Sequence, residues 1–146
     1  MSEIIWAMNS RFDDLENLMS YIRRFAHQFL NSNELELSFT QEGSLVGVNL
    51  SGEKRRNLFL VVKEILHNVV KHSEASRVDM VFHIDNLFVF EIKDDGIGME
   101  ESTSLFGNGL KNMKDRITNL GGILEVSSND GTAIKVKIPM EKLINI

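Results

Sequence analysis

The stretch KDDGIGME, Lys93 to Glu100, sets two acids against a glycine, one apolar residue and a second glycine. It directly follows LFVFEIK, Leu87 to Lys93, an apolar run that reads as a strand. Glycine lets a backbone turn sharply and lets a ligand approach the main chain, while a carboxylate accepts from donors such as an exocyclic amine. A nucleotide base meets that description. So does an ordinary Asp-Gly turn, because a DxGxG pattern on its own is mostly a turn signal. The surrounding elements have to decide.

Immediately upstream, VDMVFHI (Val78 to Ile84) reads as a second strand, joined to the first by the tight-turn pair Asp85-Asn86. Before it, a helix is predicted from Ser51 to His72, with Ser51 as N-cap and Glu53 in the first turn. At 100° per residue Leu58, Val62, Ile65, Leu66 and Val69 share one arc, and Asn57, Glu64, Asn68 and Lys71 form a polar stripe opposite. A stripe of this kind is usually a solvated face. Asn68 is the exception, because asparagine is a poor helix former and costs roughly a few tenths of a kcal/mol in mid-helix.

Further out, residues 13 to 30 carry Leu15, Leu18, Ile22, Phe25 and Phe29 at helical spacing behind an acidic first turn. LELSFTQ (Leu35 to Gln41) and LVGVNL (Leu45 to Leu50) read as a short hairpin across Gly43-Ser44. Downstream, Met99 to Phe106 is polar and without period, and the next helix begins at GNGL and stops at Gly121-Gly122. That helix turns Leu110, Met113, Ile117 and Leu120 inward. GILEVSS and TAIKVKI close the chain as strands around Asn129-Asp130-Gly131.

The whole is 146 residues, the size of one domain able to bury a core without disulfides or metals. With 16 basic and 21 acidic residues the formal charge is −5, which argues against a protein whose main business is holding nucleic acid. No cysteine is present, so thiolate chemistry and cysteine-bound metals are excluded. LFLVV, Leu58 to Val62, is far too short to span a bilayer, and MSEIIWAMNS lacks the basic start of a signal peptide. A cytoplasmic domain is expected.

EILHNVVKH (Glu64 to His72), DDGIG (Asp94 to Gly98), GNGL (Gly107 to Leu110) and Gly131-Thr132 follow one another at separations that resemble the ATP-binding domain of histidine kinases, gyrase, the ninety-kilodalton chaperones and MutL. KEILHNVVKHSEAS with GNGLKNMKDRITNLGG is similar to the bacterial sensor histidine kinases that signal to LuxR-type response regulators. The resemblance covers about residues 10 to 140. It implies an α/β fold, a two-layer sandwich of the Bergerat ATP-binding type, with a mixed, mainly antiparallel sheet and helices on one face. It also implies ATP and Mg²⁺ as cofactors. Asp94 would accept from the adenine amine with help from Thr132, and Gly96 and Gly98 would let the chain bend around the base. Asn68 would offer its amide oxygen to Mg²⁺, and Glu64 would hold a metal water or orient the phosphates. Lys71 and His72 would meet phosphate charge. Gly107, Gly109 and Leu110 would bring backbone amides of a helix N-terminus to the phosphates.

Sensor histidine kinases phosphorylate a histidine on an upstream helix, usually followed by an acid. The four histidines here precede Gln28, Asn68, Ser73 and Ile84, so the acceptor is expected elsewhere. Residues 1 to 10, with the abrupt apolar run Ile4 to Met8, read as the end of the dimerisation and phosphoacceptor region, and 11 to 146 as the ATPase domain. The implied partners are that upstream helix region and a cognate response regulator, in a parent protein that is a membrane-anchored homodimer. One rival is a serine kinase of the anti-sigma type, or a hydrolytic ATPase in which Glu64 activates water. The Lys71-His72 pair and the short lid of about Met99 to Phe106 disfavour it. Another rival is a nucleotide-silent docking module, which intact Glu64, Asn68 and Asp94 oppose.

Overall fold

A computed structural model describes residues 14–44, 47–97, 107–128 and 130–144. Gly98, the predicted lid Met99 to Phe106, the N-terminal stretch read as a dimerisation remnant, and Asn129 of the last turn lie outside them.

Helix α1 spans Leu15–Ser32. Asp14 caps it by accepting from the Asn17 amide at 2.7 Å, which satisfies one of the unpaired donors of the first turn. Leu15, Leu18, Met19, Ile22, Ala26 and Leu30 form its buried stripe. Phe25 and Phe29, expected to point inward, are only half-buried. They stack on each other with centroids 5.6 Å apart, and Phe29 also lies against the His67 ring at 4.6 Å.

Strand β1 is Glu36–Glu42, and helix α2 is Gly52–Asn68, capped by Ser51 Oγ, which accepts from the Lys54 amide at 3.2 Å. The rest follows as β2 (Arg77–Ile84), β3 (Leu87–Asp94), helix α3 (Gly107–Asn119), β4 (Ile123–Ser127), β5 (Ala133–Pro139) and a four-residue helix α4 (Met140–Leu143). The described strands make one five-stranded sheet in the order β1-β2-β3-β5-β4. Only β1 and β2 run parallel; the other three pairings are antiparallel. Val78, Met80, Phe82 and Ile84 of β2 and Phe88, Phe90 and Ile92 of β3 are buried on one face, where the helices pack. The expected two-layer sandwich is the observed one.

The hairpin expected between 35–41 and 45–50 gives way to a different pairing. Strand β1 takes β2 as its partner, with Leu37 opposite Val78 and Phe39 opposite Met80. That register brings the Phe39 ring to 5.2 Å from Phe82, so the strand's apolar side joins the common core. At Gly43 the φ of 105° turns the chain against the Ile84 carbonyl, too close for any β-carbon. Residues 48 and 49 then meet the start of α1: Leu15 N donates to Val48 O at 2.8 Å, and Asn49 bridges Asp14. A parallel pair needs a crossover connection, and α2 supplies it.

The predicted helix 51 to 72 also ends differently. Its α-helical part stops at Asn68, and Val69–Ser73 is a single π-helical turn, after which Glu74 adopts a left-handed φ of 55°. Ser73 Oγ donates to Val69 O at 2.6 Å inside that turn. Wider turns of this type often mark functional sites because they re-aim the residues at a helix end. Helix α4 had no sequence signature, being too short for periodicity. Lys54 Nζ of α2 holds it through the carbonyls of Lys142 and Leu143, at 3.0 and 3.1 Å.

Candidate functional site

Asp94 is the last residue of β3, directly after the apolar alternation that places it on the buried side. Its side chain is only 5% exposed. The Oδ1 atom accepts from the Gly96 amide at 2.9 Å and from the Thr132 amide at 3.3 Å. Because both bonds fall on Oδ1 among the described residues, Oδ2 is the oxygen left for a donor from outside. Burial pushes the carboxyl above the ordinary aspartate range, against the opposing pull of the Gly96 and Thr132 amides. Thr132, 6% exposed, also returns a backbone bond, its carbonyl accepting from Asp94 N at 2.9 Å.

Two glycines let the chain close around this carboxylate. A β-carbon on Gly96 would collide with the Ser73 carbonyl and lie 2.7 Å from its carbon, so no other residue lets the loop rest on the π turn. Gly131 has a φ of 109° and sits against the Asp94 carbonyl, so residue type is fixed there twice, by conformation and by space. Gly131 belongs to the Gly131-Thr132 pair of the family resemblance, which gave it no role of its own beyond the turn.

The second group of predicted residues lies on α2 and at the start of α3. Glu64 is half-buried, and a β-carbon on Gly109 would lie 2.5 Å from Glu64 Oε1, so the two helices meet at this point. Asn57 and Glu64 of the stripe that looked solvated therefore face α3. Asn57 accepts from Arg116 of α3 at 2.7 Å and is a helix-to-helix tie. Leu110 is half-buried against the core. Lys71 is exposed and His72 half-buried, both within the π turn. A cleft of ≈ 400 Å³ opens between the helices, lined by Lys63, Glu64, His67, Gly109, Asn112 and Arg116 among others. Lys63, Asn112 and Arg116 went unnoticed in the sequence, since only the packing of α2 on α3 brings them beside Glu64.

Asn68 is 7% exposed, and its Nδ2 has no hydrogen-bond partner among the described residues. A buried amide without a partner is costly, typically about 1–3 kcal/mol, and a ligand oxygen would remove that cost. Asp94 and Asn68 are linked through the π turn: it starts right after Asn68, and its last carbonyl, Ser73 O, receives Ile97 N at 2.8 Å. The structure thus brings Asp94, Gly96 and Thr132 together, and separately Glu64 with Gly109.

A family model for the histidine kinase-, DNA gyrase B-, and HSP90-like ATPases matches residues 53–142. The chain belongs to this ATPase family. Among curated proteins it is 38% identical over 91 residues to the signal transduction histidine-protein kinase/phosphatase UhpB of Salmonella typhimurium, covering 62% of this chain and 18% of that protein. It is 30% identical over 132 residues to DegS of Brevibacillus brevis, another signal transduction histidine-protein kinase/phosphatase, covering 88% of this chain and 33% of the relative. The chain therefore spans a third or less of the length of these relatives. Its fold is that of the histidine kinase domain from the Erythrobacter litoralis EL346 blue-light activated kinase, with a TM-score of 0.71 at 21% identity, over 97% of this chain and 70% of that one. The catalytic domain of the histidine kinase ThkA gives 0.70 at 14% identity, over 88% and 95%.

A divalent metal ion at this site would need hard oxygen ligands. Among the described residues no group of three or more His, Cys, Asp or Glu side chains could cage one. Asn68 and Glu64, one helical turn apart on α2, offer one amide oxygen and one carboxylate. That suits Mg²⁺, which keeps several waters and completes its shell with substrate phosphates. Nor is any helix among the described residues long and apolar enough to cross a membrane.

Proposed function

We propose that this chain binds Mg-ATP and presents the γ-phosphate to a histidine on a dimerisation helix, as the catalytic domain of a two-component sensor histidine kinase. The observation that carries the reading is Asp94: a buried carboxylate at a strand end, one oxygen held by two backbone amides and the other left for the adenine amine. Thr132 and Gly96 fix its direction, and Gly98 would let the chain bend around the base. At the other end Asn68 gives its amide oxygen to Mg²⁺ and its NH₂ to a phosphate or water oxygen. Glu64 would hold a metal water or orient the phosphates, and Lys71 and His72 would meet phosphate charge. Gly107, Gly109 and Leu110 begin α3, whose unpaired amides favour phosphate. Bound Mg²⁺ would supply charge neutralisation; the protein's own contribution is placement, as in phosphoryl transfer generally.

On this reading residues 1 to 10 end the dimerisation and phosphoacceptor region and 11 to 146 form the ATPase domain. The partners are that helix region and a response regulator. The domain works in the cytoplasm, and the parent protein is a membrane-anchored homodimer. Incubation with γ-labelled Mg-ATP, alone and with a separately made dimerisation-helix fragment, is expected to label only the fragment. Acid-labile label on this chain would turn suspicion on exposed His27. Free phosphate with no labelled protein would favour a hydrolytic ATPase built on Glu64.

Asn68→Ala is expected to weaken Mg-ATP about tenfold while weakening nucleotide in EDTA much less, because only the former loses a metal ligand. Calorimetry in the two buffers reads the difference. Equal losses would withdraw the metal role and leave Asn68 to the phosphates or to packing.

A further inference from the structure

We infer that Asp95 is a positioning residue for the adenine end of the site: it pins the loop after β3 to the chain leaving the π turn, and so holds Gly96 where its amide fixes Asp94. The inference rests on the nucleotide reading above and deepens it.

Asp95 is exposed, yet both oxygens of its carboxylate accept from the protein. Its Oδ1 accepts from the amides of Ser76 and Arg77, at 2.8 and 2.9 Å, and its Oδ2 accepts from the Ser76 hydroxyl at 2.8 Å. The Arg77 guanidinium turns aside to Asp79 at 3.0 Å, so the clamp on Asp95 uses backbone amides and one hydroxyl. Its own amide adds one more rung to the β2–β3 ladder, reaching Arg77 O at 3.3 Å. Two residues further on, Ile97 N donates to Ser73 O, with Gly96 resting on the same carbonyl. The segments 73–77 and 95–97 are thus tied at several points within a few residues.

These ties lie between the two halves of the site. Asn68 precedes the π turn, Ser73 ends it, and Gly96 is one of the two amides that aim Asp94. Adjacent aspartates divide the work: Asp94 is buried with one oxygen facing outward, while Asp95 gives all its contacts to the protein's own chain. Amides and a hydroxyl that hold the Asp95 carboxylate also keep it charged below the ordinary aspartate range, so the clamp persists wherever Asp94 is ionised.

The test uses this chain with ADP and with the diphosphate of purine riboside, which lacks the 6-amino group. Asp95→Ala is expected to bind ADP about tenfold more weakly and to lose its preference for ADP over the analogue by the same factor, because the loosened Gly96 no longer aims Asp94. Asp95→Asn should restore the preference to within about twofold, since an amide oxygen accepts the same two N–H groups. A purely structural role would lower the melting temperature and leave the ratio of the two affinities unchanged. That ratio, unchanged in folded Asp95→Ala, overturns the proposal. Should Asp95→Ala not fold, Ser76→Ala removes only the hydroxyl donor to Oδ2. A two- to threefold smaller preference supports the clamp, and an unaltered one overturns it. Asp94→Ala is measured alongside. If it binds ADP normally, the nucleotide reading itself fails and the clamp with it; if it loses ADP while Asp95→Ala keeps the ratio, the clamp alone fails.

Discussion

Asp94→Ala is expected to lose adenine-nucleotide binding in a chain that stays folded. A hydrogen bond to a charged acceptor is worth about 1.5–3 kcal/mol, which is roughly ten- to a hundredfold in dissociation constant. Asp94→Asn is the sharper variant. Its amide oxygen can still accept from the Gly96 and Thr132 amides, but its NH₂ then occupies the outward position and opposes the adenine amine. The fold should not suffer, and at neutral pH it should gain. Burial raises the Asp94 carboxyl above its ordinary range, so the folded state holds that proton more tightly than the unfolded chain does. Ionisation of Asp94 therefore subtracts stability as pH rises from the ordinary aspartate value through the raised one. The neutral amide escapes that loss, so the difference in melting temperature between Asp94→Asn and the unaltered chain should grow over the same window. A carboxylate retained at a cost in stability is the pattern expected of a functional group. Wild-type ADP affinity in folded Asp94→Asn would remove Asp94 from the base contact.

The fold was legible because alternation and helical spacing were strong where the core is. Leu58, Val62, Ile65, Leu66 and Val69 share an arc in the sequence and are all buried. The strands 77–84 and 87–94 alternate cleanly around a two-residue turn. What failed was pairing. Two short apolar runs separated by glycine look like a hairpin, but β1 gains more by laying Leu37 and Phe39 beside β2 than by pairing locally. Nothing local encodes a parallel partner some forty residues away. The same limit applies to the site. Asp94, Gly96 and Thr132 were legible only through the resemblance of DDGIG and Gly131-Thr132 to the boxes of the ATPase family, since DxGxG by itself is mostly a turn signal. The work of Asp95 was not legible at all, because its donors, Ser76 and Arg77, come from the far side of a hairpin. The break at Asn68 was hidden for a related reason: the π turn is set by Ser73 folding back on Val69 and by the left-handed Glu74, and VVKHS carries no proline or glycine to mark it.

Gly131→Ala should be among the most damaging single-methyl additions in the chain, and its effect should reach both stability and ligand. Gly131 combines a φ of 109° with immediate contact on the Asp94 carbonyl, and an added β-carbon would also lie 3.3 Å from Asp94 Oδ1. Backbone cannot swing away as a lysine tip can. Relief must come from moving residues 131–132 off β3, which stretches Asp94 N to Thr132 O and withdraws the Thr132 amide from Asp94. Gly47 separates the two causes. Its φ is 77°, also left-handed, but among the described residues, its chain neighbours aside, no atom lies within 4 Å of the position a β-carbon would take. Gly47→Ala therefore carries the conformational cost alone, about 1–2 kcal/mol. Gly131→Ala adds displaced backbone and broken bonds, for a total of about 3 kcal/mol or more. In a domain of this size that is a fall of roughly 6–12 °C in melting temperature. ADP binding, measured well below the transition, should fall at least tenfold in Gly131→Ala and stay unchanged in Gly47→Ala. Equal melting temperatures for the two variants would mean that the Asp94 carbonyl yields at little cost, and then the geometry of Asp94 could not be held by Gly131 at all.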